Sequence, residues 1–315
     1  MSDTPGAAAA PAGAPGTSYH GQPILKAPVW TWEIPTYFFF GGMAGSSLGL
    51  AYATHVRGDA LAARRAWLTA LAGLSISPAL LIADLGRPSR FLNMLRMFKV
   101  TSPMSVGTWA VSATAAATGL AALDAVGLSP PGAISRTAVS RAAVLGRPAA
   151  ALGGLSLASY TAALLVNTAV PVWHEARWTL PVVFVSSAAL SAGGACAAAT
   201  PAAHAGPARR LALIGSVAEL VATEVMHRRL GMHAETYRSG PAARWGKLSR
   251  AGIVAGAALL LRGDGRNRAA AVGAGALLCA GALATRLSVV AAGRQSAADP
   301  RYVVEPQRAR LAARR

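Results

Sequence analysis

Eight apolar runs follow one another along this chain with only short polar connections, and each approaches the roughly 20 residues that a helix needs to cross the hydrocarbon core of a bilayer. They fall at 36–56, 66–86, 104–126, 151–172, 179–199, 208–227, 249–262 and 270–292. In lipid, backbone N–H and C=O groups must be satisfied within the segment, so only helices and closed barrels span. Runs of this length without strict alternation predict the helical solution: an all-α, polytopic membrane protein of about eight transmembrane helices. Composition agrees, with 53% hydrophobic and 13% charged residues in 315 and a mean hydropathy of +0.41, too apolar for one aqueous core. The seventh run is the shortest: its apolar stretch covers only 251–261, so it either extends back through 245–249 or falls short of spanning.

The net charge of +18 points to nucleic acid only if the basic residues form a compact patch. They do not; they occupy the connections between apolar runs, where membrane topology places them. With eight spans both termini share one face, here named side one. Side one carries 18 Lys and Arg residues and side two carries 11. The positive-inside rule therefore puts side one, with both termini, in the cytoplasm of a multi-pass cell-membrane protein. Residues 1–28, rich in Ala, Gly and Pro, read as a disordered extension and 294–315 as a basic tail.

Small residues recur at Gly41, Gly45 and Gly49, a spacing that lets helix backbones approach closely. Ionisable groups near lipid are rarer and mark candidate sites. They are Glu33 before the first span, Asp84 at the end of the second, Glu219 and Glu224 in the sixth, and Arg286 in the eighth. Helix direction brings Glu33, Asp84 and Glu224 toward side one. Glu33 and Tyr37, four apart, share a helix face if the helix starts early. Asp84-Leu-Gly-Arg-Pro88 ends a helix, and Asp84 can pair with Arg87 at the lipid boundary. The stretch 89–99 reads as a helix lying in the interface, and Trp30 and Trp32 as an interfacial aromatic belt. Tyr160 and Asn167, seven apart, share one face of the fourth span. Glu219 and Glu224, five apart, point about 140° from one another and need not serve one site; together they are candidates for a proton route. Arg286 either snorkels to side one or pairs with a carboxylate in the bundle.

Metal chemistry is not expected in this chain. Cys196 and Cys279 are far apart within apolar runs, and His55, His174, His204 and His227 fall at span ends or in loops, not opposed within a bundle as a b-type haem requires. Phosphate-binding Gly loops, a nucleophile elbow and a His-Glu-x-x-His zinc motif are also missing from the sequence.

Four ordered stretches carry a resemblance. Trp32-Glu33 through Gly41-Gly42-Met-Ala-Gly-Ser46, Asp84-Leu-Gly-Arg-Pro88, Thr101-Ser-Pro-Met-Ser-Val-Gly-Thr-Trp109, and Tyr160-Thr-Ala-Ala-Leu-Leu-Val-Asn-Thr-Ala-Val-Pro-Val-Trp173 resemble the NrfD family, the polysulfide-reductase-type membrane anchors. The match runs from about residue 30 to 230; the last two spans share only their apolar character. The resemblance implies a haem-free anchor of two four-helix bundles, here 29–175 and 176–293. Its partners would be an iron–sulfur electron-transfer subunit and a molybdopterin-type catalytic subunit. It further implies electron exchange with quinone, usually menaquinone, in the first bundle. Carried onto this chain, the quinone site takes in Glu33, Tyr37, Asp84, Arg87 and Tyr160. The competing expectation is a proton-coupled transporter or proton channel. Interrupted helices at matching positions of an internal repeat would favour it, and the sequence shows no such pairing.

Overall fold

The computed structural model describes residues 23–96, 98–128, 135–262 and 267–313. Most of the N-terminal extension, 1–22, lies outside them. Among the described residues there is no strand, and eight helices of twenty residues or more carry the fold. They are α1 (Glu33–Val56), α2 (Ala60–Asp84), α3 (Pro103–Val126), α4 (Arg136–Val166), α5 (Leu180–Ala199), α6 (Gly206–Arg229), α7 (Gly240–Arg262) and α8 (Arg268–Ala298). A further helix, α9 (Arg301–Ala312), follows where the sequence suggested only a basic tail. Five of these, α2 to α5 and α8, are long and apolar enough to cross a membrane.

Local chemistry sets the boundaries. Asp59, Ser102, Ser135 and Asn267 cap α2, α3, α4 and α8 by accepting a hydrogen bond from the backbone N–H three residues on, a role short polar side chains fill at helix starts. Gly127, at φ +70°, ends α3 in the left-handed conformation that costs glycine least. Two spans begin far earlier than their apolar runs. Helix α4 starts at Arg136, not 151, because polar residues in its first turns have partners: Arg147 pairs with Asp124 of α3, and Ser140 donates to the same carboxylate at 2.6 Å. Helix α7 starts at Gly240, well before 249, with its basic residues on the polar face of a continuous helix. The interfacial stretch is shorter than expected: a 3₁₀ turn at Pro88–Arg90 and a helix over Phe91–Met94.

Helix α1 is the hub, packing against α2, α4, α5 and α8. Its glycines explain how. A Cβ at Gly45 would meet the carbonyl of Gly154 on α4, and a Cβ at Gly154 would meet that of Gly45, so the two helices cross backbone to backbone. Helices α3 and α4 complete the first set, while α5 pairs with α6 and α8 with α7 in the second. Contacts between α6 and α7 are sparse, which leaves a cleft between them. Trp173, fully buried in the short helix Pro171–Glu175, locks the sets together: it donates to the Val289 carbonyl at 2.8 Å and lies where a side chain on Gly293 would otherwise sit.

Candidate functional site

Odd-numbered helices of the bundle start on side one and even-numbered helices end there, so side-one chemistry comes from the beginnings of α1, α3, α5 and α7 and the ends of α2, α4, α6 and α8. The start of α1, the end of α2, the start of α3 and the end of α4 enclose a cavity of about 440 Å³. That size falls in the range of small-molecule sites. Its wall is mainly apolar, with Ile34, Phe38, Leu81, Leu85, Val111 and Leu164 among its residues.

Polar groups enter this cavity from each helix. Tyr37, buried in the second turn of α1, and Tyr160, half-buried on α4, are within electrostatic reach of each other. Asp84, exposed at the end of α2, stands in the cavity wall. Thr108 and Ser112 line it from α3, but their hydroxyls return to carbonyls of their own helix at 2.9 and 2.8 Å. Asn167 joins from the end of α4, its amide N–H donating to Ala163 at 2.8 Å and leaving its carbonyl oxygen to accept. Gly107 positions Tyr160: the phenol is hydrogen-bonded to the Gly107 backbone, and any Cβ there would overlap its ring and hydroxyl. Pro78 also lines the cavity; lacking an N–H, it interrupts the hydrogen-bond ladder of α2 beside the site.

Of the expected quinone-site residues, Tyr37, Asp84 and Tyr160 therefore meet around one cavity. Helix α1 does start early enough to carry Glu33 in its first turn, where the Thr31 hydroxyl hydrogen-bonds it. Glu33 is not part of the cavity wall but acts electrostatically on Asp84. Arg87 is exposed on the connection after α2, outside the wall, and among the described residues no ion pair with Asp84 forms. Trp30, assigned from sequence to an interfacial belt, stacks on Trp173 with centroids 5.3 Å apart and lines one end of the cavity. Its carbonyl accepts from Arg294 of α8. Nothing in the sequence flagged that role, because Trp173 and Arg294 are brought to it by long-range packing.

A second cavity, of about 420 Å³, opens at the same face in the cleft between α6 and α7. Glu219 and Glu224 both line it, although they diverge around α6: Glu219 is 1% exposed, whereas Glu224 lies at the rim, paired with Arg228 at 2.8 Å. Thr285 donates to Glu219. Arg286 does not snorkel; it is 1% exposed, donates to the Phe184 carbonyl at 2.9 Å and places its guanidinium 3.6 Å from the Phe184 ring centre. Tyr237, on the turn between α6 and α7, adds a buried phenol whose pKa burial pushes above its ordinary value.

No group of three or more His, Cys, Asp or Glu that could hold a metal ion occurs among the described residues. A search of curated proteins finds no match. A family model described as polysulphide reductase, NrfD, matches residues 18–231, more than half of the chain and all of the helix ends that form the first cavity. The chain thus belongs to the NrfD family, polytopic membrane subunits of polysulphide-reductase-like complexes.

Proposed function

We propose that the chain is the quinone-reactive anchor of a multi-subunit oxidoreductase and that the cavity between α1, α2, α3 and α4 holds the quinone headgroup. The observation that carries this reading is the meeting of two phenols and a carboxylate around a mainly apolar cavity at one membrane face. Quinone and quinol differ by two electrons and two protons. A protein site must hydrogen-bond the two ring oxygens, exclude water from the ring and provide a proton path to bulk. Tyr37 and Tyr160 supply hydroxyl donors and acceptors for the oxygens, and Phe38 and Leu164 supply apolar surface. Asp84, exposed at the mouth, is placed to pass protons between the cavity and side-one water, with Glu33 beside it.

Electrons then need only a redox centre docked close to side one. We assign that centre to an iron–sulfur partner subunit, itself coupled to a molybdopterin-type catalytic subunit. The dense basic residues of side one suit an acidic docking surface on that partner. Binding of a menaquinone analogue to the detergent-solubilised chain tests the cavity. Tyr160→Phe should weaken binding about tenfold, which corresponds to ~1.4 kcal/mol, the scale of one lost hydrogen bond. Unchanged affinity in both Tyr160→Phe and Tyr37→Phe would remove this cavity as the headgroup site.

A further inference from the structure

The second cavity has no part in the quinone reading, and its chemistry is of another kind. It follows α6 inward from side one to Glu219, ten residues before the helix ends at Arg229 and so about 15 Å along its axis. Buried polar atoms are almost always satisfied by protein or by ordered water. Here several are not satisfied by protein: Glu219 Oε2, which only the Ser187 hydroxyl approaches, the Tyr237 hydroxyl and His227 Nε2 around the cavity, and Arg286 Nε and Nη1 beside Glu219. Thr285 occupies one oxygen of Glu219, while Thr285 is itself bonded to Ser249 at 2.7 Å, leaving the other carboxylate oxygen for a further partner.

Water, and the proton that water delivers, suits this lining better than another ion. A metal cation would face Arg228, Arg238, Lys247 and Arg250 around the mouth, with the positive charge of Arg286 acting on Glu219 from behind the wall. An anion would face the Glu219 carboxylate. Arg286 is also not locked to Glu219: it is held by the ring and carbonyl of Phe184, and no direct ion pair joins the two among the described residues. The Phe184 contacts therefore hold Arg286 in place whichever charge Glu219 carries. The other titratable groups facing it are Glu224 and His227 on its own helix and Tyr237 on the turn.

We propose that this cavity is a water-filled proton inlet from side one that ends on Glu219, a carboxyl that takes up and releases a proton with Arg286 as its fixed counter-charge. The step is balanced within the site: the carboxylate accepts a proton from the water column to become the neutral acid, and returns it by the same route.

Infrared difference spectra of the full chain in lipid nanodiscs, between acidic and alkaline buffer, test this directly. A carboxylic-acid carbonyl band should appear on acidification, shift in D2O and vanish in Glu219→Gln. Gly246→Leu, which puts a bulky side chain into the inlet wall, should keep the band but slow its D2O shift. Should Glu219→Gln fail to fold, mapping carbodiimide modification on the wild-type chain by mass spectrometry gives the same answer, with Glu219 labelled faster in acid than in alkali. A band that survives Glu219→Gln unchanged, a D2O shift as fast in Gly246→Leu as in wild type, or the absence of label at Glu219 in acid would each overturn the inlet.

Discussion

Single residues decide whether the first cavity exists in usable form. Gly107 is the clearest case, because the Tyr160 phenol occupies the space a side chain there would take. Gly107→Leu should push Tyr160 off the cavity wall while leaving helix α3 intact, since leucine is a better helix former than glycine. The expected result is at least a tenfold loss of menaquinone-analogue affinity, matching or exceeding that of Tyr160→Phe, with unchanged helical content by circular dichroism. Retained affinity would mean that Tyr160 does not contact the headgroup. Tyr160 and Asp84 were legible in the sequence as polar groups at the ends of apolar runs. Gly107 and Trp30 were not, because their importance lies in partners more than 50 positions away in the chain.

At the level of elements, the crossing of α1 and α4 fixes the geometry that places Tyr37 opposite Tyr160. The glycine spacing on α1 signalled close packing, and Gly45 does meet Gly154 backbone to backbone. Gly154→Leu should force these helices apart, costing about 1–3 kcal/mol as overpacking does, read as a lower midpoint in a detergent unfolding titration. Stability equal to wild type would show that the crossing is not tightly packed. Hydropathy located the apolar core of every long helix but misjudged the start of α4 and left that of α7 open. Their first turns are polar, and a hydropathy reading treats polar residues as connection. In α4 they are tied by Asp124, Ser140 and Arg147, a set of partners visible only in three dimensions.

For the whole molecule, alternating helix direction gathers both cavities at side one, and the sequence anticipated that convergence for Glu33, Asp84 and Glu224. It did not anticipate that two separate cavities result, nor that Glu219 and Glu224 share one of them from different sides of α6. That sharing comes from the cleft left where α6 and α7 scarcely touch, a property of the assembly and not of either helix. The arrangement separates a headgroup site in the first helix set from a buried carboxyl in the second, with both served from the face that carries the larger share of basic residues.

The central claim is that the first cavity exchanges electrons between the quinone pool and a partner docked on side one. It is tested most directly by purifying the chain from native membranes with whatever accompanies it and recording menaquinol-dependent reduction of the co-purified iron–sulfur clusters in wild type and Asp84→Asn. Reduction in wild type, slowed about 10²-fold or more in the variant, as removal of a proton-transfer group does, is the expected result. Clusters reduced equally fast in both proteins would take Asp84 out of the quinone chemistry, and a chain that purifies with no clusters at all would contradict the anchor reading.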